Sequence, residues 1–596
     1  MSPDPSAAAT AAAAAAVVRR YHDKEEFVTG HAGTTPHEVF LLCLVAPVGL
    51  LLHRKVRPHV VAILGRRVGG GGRRGVVAVA AAFVAEFLML ILPMMIIQTS
   101  LLPRYVGPCL LLAGMSILAS SMGPPPSSSG GAMTGGDTAA EEMTIQQDVG
   151  EDFTGWTYRQ LRDKLYELNV PIKKAWRKQD LVDWLQNHRP ANRKSEVAAS
   201  IAPEKVRRRP ASLSVHRACV YVLTTIAILA VDFPIFPRRF CKTERGGYGW
   251  MDLGAASFVI IAGWTSAVGG DASSTSPAVV ASSVGRKFVR KCTPLLLLGL
   301  VRLATNKGLE YQEHVSEYGV HWNFFFTLCC VEGFMVVWGG VKRSRFLAGA
   351  SWTRKYPLDC ALAMALIVPY QLFLSRGGQE FVENGDRTCG DSYDSSLHAT
   401  SWSFSLCNAF VANREGVLGV VGYLSLRLLS EAVARACMLP VGDVGSERDR
   451  IDASVGQQRR LFVVSSGLWM AHLLLTVGLR MPNSRRSTNA PFVLWTLAHN
   501  ISLLGLIQVV ATRTPSSAKD GNKEQNASNP RILEAVNRFG LAVFLSSNLL
   551  TGLVNLTVDT LHSSDGKAVF ILSLYLGLVC GFAMLLDAVF DREKVD

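Results

Sequence analysis

The feature that most constrains the fold of this chain is a series of apolar runs, most of them about 17–25 residues long. A helix of that length crosses the roughly 30 Å of hydrocarbon in a bilayer. The 596 residues are 49% hydrophobic and their mean hydropathy is +0.23, which is too apolar for a soluble chain of several domains. The sequence therefore predicts an all-α polytopic membrane protein.

The apolar runs predict a bundle of about 13 transmembrane helices, three in 37–121 and the others in 215–590. The predicted spans lie near 38–52, 75–97, 104–121, 215–235, 250–268, 292–306, 321–341, 357–375, 416–433, 461–479, 490–511, 536–557 and 568–590. The ninth span is interrupted by Arg427 and Glu431. These residues are four apart, so they can pair on one face of a helix.

The distribution of Lys and Arg predicts the orientation of the bundle. Cytosolic loops carry an excess of both residues. The basic loops are 54–74, 286–291, 342–355, 435–460 and 513–538, whereas 307–320 and 376–415 are acidic or mixed. This alternation predicts a non-cytosolic N terminus and a cytosolic C terminus, although the arginines in 236–249 and 480–489 do not fit it.

Three segments are expected outside the membrane bundle. Residues 1–36 begin with an alanine-rich tract and predict a disordered N-terminal segment, and 591–596 form a short C-terminal tail. A soluble cytosolic insertion covers 122–214, and within it 153–189 carries two amphipathic patterns that resemble the helix-extended-loop-helix (SAP-like) module. That module often contacts DNA in its own family. On a membrane protein we favour a docking module for a protein partner, or a neutral insertion, over nucleic acid.

The cysteines and the net charge exclude several classes of site. The 12 cysteines include no CxxC pair, so the sequence predicts neither a zinc site nor a disulfide framework, and no cofactor is indicated. The net charge of +14 resides mostly in short loops between spans, which is a topology signal and not a nucleic-acid site.

One polar stretch, AVDFPIFPRRFCKTE at 230–244, follows directly on an apolar run. Ionised groups beside a span are costly in hydrocarbon and indicate function. Pro234 and Pro237 should end the helix near Asp232, so that the following loop can turn back and bring Asp232 close to Lys242. A helix end with snorkelling basic residues would explain the arginines, but neither Asp232 nor the prolines.

The residue types in this stretch suit acyl transfer to an alcohol. A carboxylate such as Asp232 can take the proton of a hydroxyl group, and an ammonium such as Lys242 can stabilise the oxyanion that forms at an attacked carbonyl. Arg238 and Arg239 offer planar donors for phosphate oxygens. A structural salt bridge between Asp232 and Lys242 is the alternative. Cys241 is a weaker candidate nucleophile because no histidine lies nearby to activate it.

Further polar residues in or beside the spans are candidate substrate contacts. Four of them recur at spacings of three and four near the end of the twelfth span and should share one helical face. These are Asn548, Thr551, Asn555 and Asp559. Asp252 lies at the start of the fifth span, and Asn413 and Arg414 lie just before the ninth.

Four strings together resemble the signature stretches of the glycosylphosphatidylinositol (GPI) inositol acyltransferase family, the PIG-W type. They are AVDFPIFPRRFCKTE at 230–244, GYGWMDLGAASFV from 247, ANREG with GY at 412–423, and NLLTGLVNLTVDT from 548. The resemblance covers about 37–121 and 215–590. The insertion at 122–214 departs from the family pattern, which leaves regulation and partners open.

The resemblance implies a multispanning enzyme of the endoplasmic reticulum. Such an enzyme transfers a fatty acyl chain, typically palmitoyl, from acyl-CoA as co-substrate to the inositol 2-hydroxyl of glucosaminyl-phosphatidylinositol. The catalytic pair of the family maps onto Asp232 and Lys242. The resemblance does not say from which side of the membrane acyl-CoA arrives.

Two other classes of function remain alternatives at this point. A proton-coupled transporter of an organic anion would use Asp232 as proton carrier and the arginines as anion site, but such transporters usually contain two related halves and this sequence has no internal repeat. A non-catalytic membrane scaffold would have no need of the clustered acid and amine.

Overall fold

A computed structural model describes residues 27, 29–67, 72–122, 210–269, 277–308, 315–342, 352–387, 401–438, 447–512 and 529–592. Regular structure in these ranges is helical. The helices are α1 Pro36–Cys43, α2 Val45–Arg67, α3 Gly72–Glu86, α4 Leu92–Ile96, α5 Val106–Ser121, α6 Ala211–Ala230, α7 Leu253–Gly269, α8 Pro277–Gly308, α9 Val315–Tyr318, α10 Phe324–Lys342, α11 Trp352–Phe373, α12 Gln379–Asn384, α13 Ser401–Ala412, α14 Arg414–Cys437, α15 Glu447–Leu473, α16 Ala490–Thr512, α17 Arg531–Arg538, α18 Gly540–Thr557 and α19 Asp565–Arg592.

The all-α polytopic fold is confirmed. Within the described ranges, 11 helical segments are long and apolar enough to cross a membrane, and each coincides with a predicted span. The two other predicted spans are also helical, but they do not meet the same standard of length and hydropathy. The helix α5 has only 16 residues, and the predicted span 292–306 is the second half of α8, whose first half is strongly basic.

The centre of the bundle consists of the helices that carry the most buried residues. The helix α14 packs against α7, α10 and α11, while α16 packs against α15 and α6. In the apolar stretches of α6 and α16, 72% of the residues are buried, compared with 17% in the segment that contains α15. The outer helices instead expose leucines and valines, as expected of surfaces that meet lipid chains.

Some predictions lie outside the described residues. They include the SAP-like element at 153–189 and nearly all of the insertion 122–214. Of the N-terminal segment, the structure describes Phe27 and the residues from Thr29 onward, and the disorder of 1–36 stays a prediction. The Thr34 amide donates to the Tyr248 carbonyl at 2.7 Å, and the Glu244 amide donates to the His31 carbonyl at 3.3 Å. Residues 31–34 therefore pack against the loop that follows α6.

The arginines of 480–489 do not fit the charge pattern because two of them are buried and paired. The Arg485 Nε atom lies 3.0 Å from an Asp252 oxygen, and the Arg486 Nη2 atom lies 3.1 Å from Glu415. Both side chains are only 6% exposed. They hold the loop against the bundle, so their positive charge is not a topology signal.

One cysteine forms a disulfide bond that the sequence did not indicate. Cys407, in α13, is disulfide-bonded. Spacing alone did not reveal this because the loop around α13 has no short cysteine motif.

Candidate functional site

The helix α6 ends where the prolines predicted. Its last residue is Ala230, and the amides of Val231 and Phe233 bond back to the carbonyls of Ala227 and Ala230 at 3.2 and 3.0 Å. Pro234 and Pro237 have no amide hydrogen and cannot continue the helix. The chain instead turns and enters one short 3-10 turn, Arg238–Phe240. Asp232 is consequently placed in the turn, beyond the helix.

Arg238 stabilises this turn. Its guanidinium donates to the carbonyls of Val231 at 2.9 Å, Phe233 at 2.9 Å and Phe236 at 2.8 Å, and its other face lies 3.9 Å from the ring centre of Phe27. Burial lowers the pKa of Arg238, while nearby Asp232 opposes that shift. These contacts favour a structural role for Arg238, and phosphate binding at this residue stays a prediction.

Arg239 connects the same loop to the first span. Its Nε donates to a Glu38 carboxylate oxygen at 2.9 Å, and Glu38 also pairs with Arg104 at 3.1 Å. Glu38 is buried and shared by two cations. Arg239 is therefore oriented toward α1, and its predicted contact with a phosphate is not supported by this geometry.

Asp232 and Lys242 each have a partner that the sequence did not single out for them. Asn555, near the end of α18, donates from Nδ2 to Asp232 Oδ2 at 2.8 Å. Lys242 Nζ donates to both carboxylate oxygens of Glu317, in α9, at 2.7 and 2.9 Å. The expected salt bridge of Lys242 is thus made with Glu317. We call Asp232, Asn555, Lys242 and Glu317 the acid-amine site.

Asp252 is a structural anchor for the loop that carries Lys242. Its carboxylate accepts from the Thr243 amide at 3.1 Å, the Thr243 hydroxyl at 2.8 Å and the Gly249 amide at 2.8 Å, and it faces Arg485. At Gly247, where φ is +124°, a side chain would lie 2.3 Å from the Ala32 carbonyl oxygen, so glycine is required. Substrate binding by Asp252 stays a prediction that this burial does not favour.

The predicted contacts before the ninth span also have structural partners. Arg414 is buried and donates to the carbonyls of Val382 at 3.2 Å and Asp386 at 2.8 Å. The Asn413 side chain accepts from the His321 amide at 2.7 Å and donates to the Ala409 carbonyl at 2.8 Å. Asn413 therefore positions the loop that follows Glu317, whereas Arg414 holds the segment 382–386. Substrate contact by either residue is a prediction without geometric support.

The polar face predicted on the twelfth span is shorter than expected. The helix α18 ends at Thr557 because Val558 adopts an extended conformation. Asp559 therefore lies beyond the helix, where its side chain is 44% exposed and 3.2 Å from His562. Asn548 does remain on the wall of the cavity described next, with its Nδ2 bonded to the Phe544 carbonyl at 2.7 Å.

A single cavity of about 1680 Å³ connects the acid-amine site to the interior of the bundle. Asp232, Lys242 and Glu317 lie on its wall, together with Arg485 and Asn548. Its middle is lined by apolar side chains such as those of Leu223, Phe258, Leu298, Leu328 and Met335. The helices α6, α7, α8, α10, α14, α16 and α18 all contribute to it. The cavity has the apolar walls that a lipid chain requires.

The far end of the cavity carries buried charges that sequence reasoning mostly missed. We call them the ion-pair network, and its members are Glu332, Lys342, Asp359, Arg427, Glu431 and Arg435. Lys342 lies 2.9 Å from Asp359 and 3.5 Å from Glu431, while Arg427 lies 3.1 Å from Glu332 and 2.8 Å from Glu431. The predicted pairing of Arg427 with Glu431 is confirmed. Arg435 pairs with both Asp359 and Glu431.

The length of helix α10 indicates how far the acid-amine site lies from the ion-pair network. It begins beside the acid-amine site, where the Tyr318 ring packs 6.0 Å from the Phe324 ring, and it ends at Lys342. Its 19 residues extend over about 27 Å at 1.5 Å per residue. That length is close to the hydrocarbon thickness of a bilayer, so the cavity reaches most of the way through.

Cys241 lies beside Lys242 on the cavity wall, but its environment does not favour a nucleophile. Burial raises the pKa of the Cys241 thiol to about 11, and the neighbouring Arg238 only partly opposes that shift. The nucleophilic form of cysteine is the thiolate. At neutral pH the thiol is protonated, which agrees with the absence of a nearby histidine in the sequence.

Of the residues that sequence reasoning missed, Glu332 had a usable signal, since it is a lone carboxylate inside an apolar run. Glu317 had no such signal because it lies in a polar stretch of the sequence and contacts Lys242 only through the tertiary fold. Arg485 was attributed to a loop charge pattern, and its burial could not be read from the sequence.

Comparisons with known proteins agree with this architecture. Residues 20–148 and 172–586 match the GWT1 protein family. The chain is 36% identical to the GPI-anchored wall transfer protein 1 of Gibberella zeae over 397 residues, covering 63% of this chain and 72% of the relative. It is 36% identical to the protein of the same name in Aspergillus oryzae, covering 67% of this chain and 76% of the relative. An uncharacterised Arabidopsis thaliana protein is 33% identical over 61% of this chain and 71% of its own length.

The helical bundle and the family match together define a multi-pass membrane acyltransferase. More particularly, the chain belongs to the GWT1 family, the family of GPI inositol acyltransferases, whose role is in GPI-anchor biosynthesis. That pathway implies the endoplasmic reticulum membrane.

Proposed function

We propose that this protein transfers a fatty acyl chain, typically palmitoyl, from acyl-CoA to the inositol 2-hydroxyl of glucosaminyl-phosphatidylinositol. The observation that carries the proposal is that Asp232 and Lys242 lie on the wall of one otherwise largely apolar cavity. An acid and an amine are the groups that alcohol acylation needs. The apolar wall suits the acyl chain, and the volume of about 1680 Å³ exceeds the roughly 300–1,000 Å³ of ordinary ligand sites.

In the proposed reaction, Asp232 is the general base. It takes the proton of the inositol hydroxyl as the oxygen attacks the thioester carbon, and Lys242 stabilises the resulting oxyanion. Collapse of the tetrahedral intermediate breaks the C–S bond and expels the CoA thiolate, which takes up a proton. The products are the inositol ester and free CoA. The bond from Asn555 orients the Asp232 carboxylate.

Transfer is proposed to be direct, without an acyl-enzyme. The raised pKa of Cys241, about 11, keeps the nearest thiol protonated. Asp232 can act on the hydroxyl group without a covalent intermediate, because a bound alcohol and a bound thioester need only proximity and proton removal.

The charge at the far end of the cavity supports an anionic donor such as acyl-CoA. Three of the cations that line this end, Lys342, Arg427 and Arg435, are paired within the ion-pair network. Lys287, Arg290 and Lys291 also line it, and Arg290 and Lys291 are exposed. Exposed cations on the wall of a cavity suit the phosphates of CoA.

The cations at the far end lie where acyl-CoA from the cytosol would enter the cavity on its way to the acid-amine site. Lys287, Arg290 and Lys291 of α8 and Lys342 at the end of α10 line this end of the cavity. They belong to the basic stretches 286–291 and 342–355, which the positive-inside rule assigns to the cytosol. The acid-amine site lies at the opposite end of α10. We propose that acyl-CoA binds from the cytosolic end and that its thioester extends through the cavity. The disulfide at Cys407 supports a lumenal position for the loop 376–415, since disulfides persist in oxidising compartments.

The side of the cavity between α8 and α18 supports access for a lipid acceptor. Leu549 and Leu556 of α18 line the cavity although they are 78% and 85% exposed, and Val301 of α8 does so at 59%. Side chains that both line a cavity and face outward form its rim. We propose that the inositol lipid slides in from the bilayer between these two helices.

The direct test uses the purified full-length protein in lipid vesicles that contain glucosaminyl-phosphatidylinositol, with labelled palmitoyl-CoA added outside. We expect a labelled lipid with one additional, alkali-labile acyl chain, and no such product when the inositol 2-hydroxyl is methylated. If the wild-type protein forms no labelled lipid, the proposed activity is wrong. An anion transporter would instead accumulate the labelled anion inside the vesicles without lipid product.

A further inference from the structure

The acid-amine site contains a second carboxylate, Glu317, whose contacts suggest a defined task. Both of its oxygens accept hydrogen bonds from Lys242 Nζ, at 2.7 and 2.9 Å. The Lys242 side chain is 40% exposed, whereas that of Glu317 is 17% exposed. A lysine side chain has four rotatable bonds and does not adopt one position by itself. The two bonds to Glu317 therefore restrict where the ammonium group lies on the cavity wall.

Glu317 is itself held in place by its surroundings. It interacts electrostatically with Arg485, which lies 3.0 Å from Asp252. Although burial lowers the pKa of Arg485, Glu317 and Asp252 raise it more, so the guanidinium is a permanent positive charge here. The segment that follows Glu317 is also fixed, since the Val320 amide donates to the Ala412 carbonyl at 3.0 Å.

We infer that Glu317 is a positioning residue for Lys242 in the acyl-transfer reaction. This inference rests on the proposed function, because it concerns how the oxyanion donor is held. Lys242 donates two hydrogen bonds to this carboxylate, while Arg485 pairs with Asp252. Without the Glu317 carboxylate, the flexible Lys242 side chain would lose the two bonds that restrict it, while Arg485 would stay with Asp252.

The same contacts separate the roles of the two carboxylates. Both Glu317 oxygens accept from an ammonium group, so they are poorly available to accept a proton from substrate. One oxygen of Asp232 accepts from the Asn555 amide, and Asp232 lies on the cavity wall. Asp232 therefore acts on the hydroxyl group, and Glu317 acts through Lys242.

The test compares Glu317→Gln and Glu317→Asp in the vesicle assay, with kcat and KM measured for both substrates. We expect Glu317→Gln to lower kcat by about 10- to 100-fold with both KM values within about threefold, because the lost interaction matters mainly in the transition state. Glu317→Asp retains the charge and should recover at least about a third of the wild-type kcat. The control is Asp587→Asn, which removes an ion pair of the same length, 2.7 Å, far from the cavity. It should leave kcat unchanged.

A double-mutant cycle distinguishes positioning from a purely structural salt bridge. If Glu317 acts through Lys242, adding Glu317→Gln to Lys242→Met should slow the enzyme no further. That double variant also avoids an unpaired charge, so it stays informative if Glu317→Gln alone folds poorly. The inference is overturned if Glu317→Gln keeps at least half of the wild-type kcat, or if its effect is as large in the Lys242→Met background. A wild-type protein without lipid product would instead refute the proposed function.

Discussion

The two polar ends of the cavity are built in opposite ways. In the ion-pair network, three carboxylates and three cations lie on helices α10, α11 and α14, and most of them pair with two oppositely charged neighbours. In the acid-amine site, Asp232 and Lys242 come from a proline-broken loop, and Asp232 accepts from an amide. The contacts of the ion-pair network are those of a structural part of the bundle, whereas the contacts of the acid-amine site are those of a reactive site.

Intramembrane charge alone therefore does not locate chemistry. Buried ion pairs cost desolvation and are satisfied by mutual contacts, which leaves their members little capacity to exchange protons. Asp232 instead lies in a loop on the cavity wall, where a substrate hydroxyl can approach its carboxylate. We therefore expect substitutions in the network to change stability and substitutions in the loop to change the chemical step.

The largest effect on stability should come from Arg427→Met. Removing this guanidinium deletes the cation that Glu332 and Glu431 share, although Glu332 keeps Lys291 and Glu431 keeps Lys342 and Arg435. We expect the variant to lose about 1–3 kcal/mol of stability, the cost of removing one partner from buried polar groups. The measurement is unfolding in detergent, with Asp232→Asn as comparison, which we expect to lie within about 1 kcal/mol of wild type because its shape is preserved. If Arg427→Met were as stable as wild type, the ion-pair network would not stabilise the fold as proposed here.

Lys242→Met should lower kcat strongly and change the stability of the protein little. Loss of an oxyanion donor lowers kcat by about 10²–10³, whereas a side chain that is 40% exposed contributes little to folding. The experiment measures kcat and the unfolding midpoint on the same preparation. A variant that unfolds early but turns over normally once folded would assign Lys242 to structure instead of chemistry.

Asn555→Leu tests whether the hydrogen bond from Asn555 orients Asp232 in the acid-amine site. It removes the 2.8 Å bond to Asp232 and should lower kcat by about tenfold, the worth of one hydrogen bond to a charged group. The matched control is Thr557→Val, which loses a hydroxyl that bonds only back to its own helix at Leu553, 2.8 Å away. If both variants keep the wild-type kcat, Asn555 does not orient the base.

The smallest effect is expected at the rim between α8 and α18. Gly552 lines the cavity, and a side chain there would meet no atom within 4 Å. Gly552→Phe should raise the KM for the lipid acceptor by about fivefold and leave the KM for acyl-CoA unchanged, since it narrows only the lateral opening. Gly577→Phe on α19 has the same free space and serves as control. A change in the KM for acyl-CoA alone would assign this opening to the donor.

Much of the fold was predictable because the membrane imposes simple rules. Runs of apolar residues located the helices, and Pro234 and Pro237 located the end of α6. The roles of Arg238 and Arg239 were harder to predict. Two neighbouring arginines are typical of an anion site, but Arg238 donates to backbone carbonyls and Arg239 pairs with Glu38. Residue type reveals a donor but does not reveal which acceptor the fold supplies.

The partners of the acid and the amine were not predictable from spacing. Asp232 and Lys242 are ten residues apart, which suggested that they pair with each other, but Glu317 lies 75 positions from Lys242 and Asn555 lies 323 positions from Asp232. Asp559 illustrates the reverse error, because a helical period was extended past the residue where α18 ends. Such contacts are set by tertiary packing.

The proposed role of Asp232 as the base that removes the proton from the acceptor hydroxyl is tested with Asp232→Asn. The experiment measures single-turnover acyl transfer in vesicles loaded with both substrates, alongside equilibrium binding of each substrate. We expect the rate of transfer to fall by about 10²–10⁴ while both dissociation constants stay within about twofold of wild type. Transfer at more than a tenth of the wild-type rate, with both substrates bound, would contradict the assignment of the base.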